Sequence, residues 1–173
     1  REYGISIAYS YEESPLGTGG AIRNALPKMQ EEDVLVLNAD TYFDTDYRSL
    51  FQEQRVKCAD MTIASREIED ISRYGAIVKD TDGRILRWNE KQSGSGETAP
   101  KRGEINGGIY VMKKSLIEKI PVGKQSLEND CIPVWLSHSV NIHALPSDGY
   151  FMDIGVPEDY RRFQEDVQSG KIV

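Results

Sequence analysis

The run "DVLVLNAD" at positions 33–40 constrains this chain more than any other stretch. Side chains of a strand point alternately to opposite faces, so an apolar run without polar alternation asks to be covered on both sides. Its tip, Asn38 to Asp40, turns polar. Such a strand belongs in a layered α/β domain, with helices above and below a mostly parallel sheet. The flanking sequence supplies those helices. Ala21, Ile22, Ala25, Leu26 and Met29 recur at helical spacing, with Pro27 set to end or kink the helix. Tyr47, Leu50 and Phe51 begin a second apolar face, and "DMTIASREI" follows as a strand. Further on, "YGAIVKD" and "ILRWNEK" flank "TDGR", a hairpin signal. "QSGSGETAPKRGE" reads as a polar loop and "INGGIYVMK" as a strand. "SLENDCIPVWLSHS" reads as a helix interrupted near Pro133, and "VNIHAL" and "GYFMDIG" as short strands. "VPEDYRRFQEDVQSG" reads as a closing helix with Pro157 in its first turn and Gly170 past its end. "ISIAYSY", at 5–11, has the alternation and β-branched content of a strand.

With 173 residues the chain suits one domain. A net charge of −7 argues against general nucleic-acid binding, which draws on clustered Lys and Arg. It leaves room for a small anion held by a few local cations or a metal. Cys58 and Cys131 make no disulfide framework or metal spacing and read as packed thiols. No apolar run approaches membrane-spanning length and no signal peptide opens the chain, so the expectation is a cytoplasmic protein without membrane partners. Arg1 opens directly on a strand-like segment, as though the fold were entered midway.

In open α/β sheets ligands bind beyond the carboxyl ends of strands. Asp40 and Asp153 both sit at such ends, and two carboxylates from distant strands suit one Mg²⁺. Each also suits a turn or a helix cap. The glycines of "SPLGTGGAIRNAL" stand directly before a helix; three of them invite a ligand, or another backbone, to come very close. The alternative is a flexible loop with Thr18 as the cap. Glu90 and Lys91 end a strand, and in a site lysine would hold a phosphate while glutamate accepts from sugar hydroxyls. Asn106 offers an amide donor and acceptor. His138 and His143 lack triad partners and read as structural or exposed.

Taken in order, "PLGTGGA", "LNAD", "RYGAIV", "NEK", "NGGIYV", "SLEND" and "DIGVPEDY" resemble the sugar-1-phosphate nucleotidyltransferases, above all their heptose- and mannose-1-phosphate guanylyltransferase branch. The resemblance implies a Rossmann-like three-layer fold, related to the GT-A glycosyltransferase type. It implies a nucleoside triphosphate, GTP favoured, and a sugar 1-phosphate as substrates, with Mg²⁺ as cofactor. It places Glu13, Gly17, Thr18 and Asp40 on the nucleotide. Asp40 and Asp153 fall on the metal. Gly75, Glu90, Lys91 and Asn106 fall on the sugar phosphate, with Lys91 counted among the catalytic groups beside the two aspartates. Two departures accompany it. Ala39 stands where the family has glycine, and the family's N-terminal glycine-rich loop is absent, so the chain is expected to begin after roughly two βα units, about 50 residues. The implied chemistry is attack of a sugar-phosphate oxygen on the α-phosphorus with loss of pyrophosphate; homo-oligomerisation is left open. Two other readings stand beside it: a glycosyltransferase using Asp44-x-Asp46 for a metal, and a non-catalytic sugar-nucleotide sensor.

Overall fold

A computed structural model describes residues 4–71, 76–89 and 102–172. In chain order the elements are α1 (Gly17–Ala25), a 3₁₀ turn (Leu26–Lys28), β1 (Asp33–Leu37), β2 (Thr41–Phe43), α2 (Tyr47–Val56), β3 (Met61–Ile68), β4 (Ala76–Lys79) and β5 (Ile85–Asn89). Then follow β6 (Gly103–Lys113), α3 (Lys114–Ile117), a π-helical turn (Leu127–Cys131), α4 (Ile132–Ser137), β7 (Ile142–Pro146), β8 (Phe151–Asp153) and α5 (Pro157–Gln168). The strand-forming stretches inferred from 33 onward are strands, and Pro157 and Gly170 punctuate α5 as expected, Gly170 at φ 74°. The 4-residue α3 and the 3-residue β2 are too short to leave a periodic signal.

The main sheet runs β5-β4-β6-β3-β7, with β1 also pairing β6. Directions are mixed. β3 and β7 are parallel, whereas β6 is antiparallel to β1, β3 and β4. Thus β1, β3, β4 and β7 share one direction, and β6 runs against them through the middle. On one edge β6 keeps β3 along its length. Its other edge is shared: β4 pairs at Glu104, and β1 pairs from Ile109 to Lys113. The gap between them holds Asn106, Gly107 and Gly108. A point where neighbouring strands part company is where α/β sheets open a crevice.

Alternation along the strands builds two cores. Tyr110 and Met112 of β6, Met61 and Ile63 of β3, and Val34 and Val36 of β1 face the layer of α1, α3 and α4. Ile109, Val111, Ala64 and Leu35 face Phe43, Leu50 and Phe51. The sheet is therefore covered on both sides, giving three layers. A second sheet, β2 with β8, sits over the latter face, with Thr41 opposite Asp153.

Two expectations are corrected. The segment 5–11 is not a strand: among the described residues no ladder partner lies beside it, and an extended run without one has no regular structure. Among the described residues its backbone is tied at its end, where Asn24 Nδ2 donates to the Tyr11 carbonyl at 2.9 Å. Ile7 is 64% and Tyr11 85% exposed. Cys58 is exposed rather than packed, whereas Cys131 is buried and its thiol is pushed up to about 11 by that burial and by Asp130 and Glu128. Replacing Ile7 and Tyr11 together by lysine is expected to reduce self-association in sedimentation velocity without lowering the melting temperature. These side chains expose apolar surface and support no core. A lower melting temperature would show that they pack against something.

Candidate active site

The glycines of α1 answer to a backbone. Gly17, at φ 70°, adopts a conformation that side chains disfavour, and a Cβ there would sit 2.6 Å from the Gln125 carbonyl oxygen. A Cβ on Gly20 would run into the Gly123 carbonyl, and one on Gly19 would press on Cys131 Sγ at 3.1 Å. Two backbone bonds use this closeness: Gly20 N–H to Gln125 O at 3.1 Å, and Gln125 N–H to Leu16 O at 2.8 Å. The glycines thus form the first turns of the helix rather than a loop ahead of it. Leu16, not Thr18, is the N-cap, without a side-chain cap bond. Thr18 Oγ1 instead donates to Glu128 at 2.6 Å and accepts the Leu127 N–H at 2.8 Å. Glu13 is exposed just upstream, while its neighbour Glu12 accepts the Leu16 N–H at 2.8 Å.

Asp40 and Asp153 are brought together. Asp40 lies in the turn after β1 and Asp153 ends β8; the Ile154 N–H donates to the Asp40 carbonyl at 2.8 Å, and the Gly155 N–H to Asp153 Oδ1 at 3.0 Å. A Cβ on Gly155 would lie 3.1 Å from Asp153 Oδ1 and 3.4 Å from Asp40 Oδ2. The two carboxylates therefore flank one small space that glycine keeps open. Among the described residues no group of three His, Cys, Asp or Glu side chains gathers to enclose a metal. A site of two carboxylates fits Mg²⁺, which keeps most of its shell for water and phosphate oxygens. Beside it, a cleft of about 270 Å³ is lined by Leu37, Asn38, Thr41, Tyr42, Asp44 and Tyr47.

Asn106 faces the gap in the β6 edge. Its Oδ1 accepts the Gly108 N–H at 3.0 Å and its Nδ2 donates to the Tyr110 hydroxyl at 2.6 Å. The Gly108 carbonyl accepts the Asn38 N–H at 2.8 Å, so Asn106 is two short links from the turn carrying Asp40. Gly75, Glu90 and Lys91, and the polar loop through 101, lie outside the described residues.

Other candidates resolve into structure. Asp46 caps α2, accepting from Arg48 N–H at 3.0 Å and Ser49 Oγ at 2.6 Å. That commits the second carboxylate of Asp44-x-Asp46. His143 is buried, with Nε2 3.1 Å from Asn141 Oδ1, and His138 Nδ1 lies 2.8 Å from the Val134 carbonyl. Two polar clusters near the sheet were not visible in the sequence. Glu104 pairs with Lys79 at 2.7 Å and takes the buried Ser65 hydroxyl. Tyr150 donates to Asp166 at 2.6 Å, fastening α5 beside β8, and burial with that carboxylate pushes its hydroxyl up to about 12. Among the described residues no helix is long and apolar enough to cross a membrane.

Comparison with known proteins follows the same lines. The chain is 38% identical over 169 residues to the D-glycero-alpha-D-manno-heptose 1-phosphate guanylyltransferase of Aneurinibacillus thermoaerophilus, covering 97% of this chain and 70% of that protein. It is 31% identical to the mannose-1-phosphate guanylyltransferase of Mycobacterium tuberculosis, of which it spans 46%. The crystal structure of HddC from Yersinia pseudotuberculosis, also solved in complex with GMP-PN, superposes with a TM-score of 0.76 at 35% identity over 90% of this chain and 64% of that one. The chain thus spans between 46% and 70% of the length of these relatives. A sequence profile of the nucleotidyl transferase family matches residues 1–170. With its three-layer sheet, its parted β6 edge and this match along nearly its whole length, the chain belongs to the nucleotidyl transferase family.

Proposed function

We propose that this chain forms the substrate-holding part of an enzyme that transfers a guanylyl group from GTP to a heptose- or mannose-type 1-phosphate, giving a GDP-sugar and pyrophosphate. The observation that carries it is the pairing of Asp40 and Asp153 across Gly155, at the strand ends beside the gap holding Asn106. The relatives named above, guanylyltransferases of heptose and mannose 1-phosphate, support the choice of base and sugar.

The sugar 1-phosphate is already an anion, so its oxygen needs no general base. It attacks the α-phosphorus; the new P–O bond forms as the bond to the bridging oxygen breaks, and pyrophosphate leaves with the electron pair. The obstacle is bringing anions together. Mg²⁺, held by Asp40 and Asp153, would supply positive charge against that repulsion. Asn106 presents its amide to the sugar. Lys91 holds the attacking phosphate in line. Glu90 and Gly75 take the sugar, and Glu13, Gly17 and Thr18 lie on the nucleotide side. Work in the cytoplasm on precursors of lipopolysaccharide or capsule is consistent with this reaction.

The test is product identity: incubation with GTP, Mg²⁺ and mannose or heptose 1-phosphate should release pyrophosphate. Release of a nucleoside diphosphate from a GDP-sugar would instead favour a glycosyltransferase. Lys91→Ala is expected to raise KM for the sugar 1-phosphate about tenfold to a hundredfold, the effect of losing a charge-assisted phosphate contact, with KM for GTP nearly unchanged. Equal rises for both substrates would place Lys91 elsewhere.

A further inference from the structure

Both aspartates of the candidate metal site hang on the two-stranded sheet. Asp40 directly precedes β2, and Asp153 is the last residue of β8. The register sets Thr41 opposite Asp153, Tyr42 opposite Met152 and Phe43 opposite Phe151. Side chains alternate along a strand, so the two faces of this sheet differ. Thr41 and Asp153 share the face on which Phe43 and Phe151 meet edge to face at 5.4 Å and enter the core. Tyr42 and Met152 take the outer face. Tyr150, one residue before β8, lies with them: its ring is 6.0 Å from that of Tyr42, and its hydroxyl is 3.4 Å from Met152 Sδ. Two strands of three residues are marginal by themselves. Their outer face is covered by α5. Phe163 packs on Tyr42 with ring centroids 5.1 Å apart. Asp166 Oδ2 accepts the Tyr150 hydroxyl at 2.6 Å and Lys171 Nζ at 2.9 Å, and Lys171 returns over the Tyr150 ring at 5.3 Å. The Asp166 side chain is 16% exposed, in a helix with no fully buried residue. Among the described residues no side chain of α5 joins either core of the main sheet. The helix spends these contacts on the small sheet instead.

We propose that α5 is a clamp on the metal site, with Asp166 the positioning residue that holds β8, and through it the Asp153 carboxylate, beside Asp40. The inference rests on the assignment of Mg²⁺ to these two aspartates made above. Asp166 acts through Tyr150, three residues before Asp153. Two backbone bonds report whether the small sheet is closed. The Ile154 N–H donates to the Asp40 carbonyl at one end, and the Asp44 N–H to the Tyr150 carbonyl at the other, both at 2.8 Å.

Three variants of the whole enzyme test it. Tyr150→Phe keeps the ring and removes the bond. Asp166→Ala removes the acceptor, whereas Asp166→Asn keeps an oxygen that can accept the hydroxyl. Amide hydrogen exchange, read by NMR, needs neither metal nor substrate. In Tyr150→Phe and Asp166→Ala the Ile154 and Asp44 amides are expected to exchange about tenfold faster, the scale of one hydrogen bond to a charged group. The Lys113 and Ala144 amides, which bond the Asp60 and Gly83 carbonyls around the main sheet, should be unchanged. Asp166→Asn should restore most of the protection. The Mg²⁺ concentration that half-saturates GDP-sugar binding, followed by calorimetry, should rise about tenfold in the first two variants, as when an outer partner of a metal ligand is lost. Faster exchange at all four amides would show a general loss of stability and overturn the proposal. Unchanged exchange would overturn it too, as would faster local exchange with an unaltered Mg²⁺ requirement. If the unaltered enzyme shows no Mg²⁺-dependent binding at all, the metal assignment fails, and faster exchange confined to Ile154 and Asp44 leaves α5 as the element that places Asp153.

Discussion

Asp40→Asn and Asp153→Asn are each expected to lower turnover by about a hundredfold or more while the protein stays folded, the scale seen when one preorganised electrostatic partner of a transition state is removed. Asparagine keeps the shape of aspartate: the Ile154 N–H bonds the backbone carbonyl of Asp40, and an asparagine Oδ1 at 153 can still accept the Gly155 N–H. What is lost is one negative charge from a pair that share the space beside Gly155. Steady-state rates across a Mg²⁺ series check this, with circular dichroism to confirm folding. The shared site also predicts a matching effect without turnover: binding of a GDP-sugar, followed by calorimetry, should lose its Mg²⁺ dependence in either variant. Near-normal rates at limiting Mg²⁺ in one variant would show that its aspartate merely shapes the turn.

Gly20→Ala is expected to lower the melting temperature, and here the sign alone decides. In an exposed helix this change stabilises by about 1 kcal/mol, since alanine is the better helix former. In α1 the added methyl would meet the Gly123 carbonyl, and overpacking against backbone costs about 1–3 kcal/mol. At about 2–4 °C per kcal/mol for a chain of this size, a drop of several degrees follows in a thermal melt. A rise would mean that helix and turn are not in contact.

Local pattern carried most of the architecture. The unbroken apolar run of β1, the Asp-Gly hairpin and the capped amphipathic α5 are each set by near neighbours in sequence, and each is found in place. The segment at 5–11 has the same kind of pattern and is not a strand, because a strand needs a ladder partner and alternation cannot supply one. The glycines misled in the other direction. Their low helix propensity suggests a loop, yet contact with 123–131 keeps them helical. The placement of Asp40 and Asp153 just at strand ends was legible because strand ends announce themselves. The bond from Thr18 to Glu128 was not: Glu128 stands among Ser126, Asn129 and Asp130, any of which could satisfy the local turn. The one available signal was the spacing from Ser126 to Asp130, a residue too long for a usual capping box.

The parted edge of β6 also bears on how such a chain can diversify. One half of that edge carries the β4–β5 hairpin, the other carries β1 with the turn to Asp40, and Asn106 to Gly108 lie between. Substitutions in the hairpin can accumulate without disturbing the register of β1 or the approach of Asp40 to Asp153. Under the assignment proposed above, a change in which sugar is accepted is separable from the transfer chemistry, and a lineage can try new acceptors on an unaltered frame.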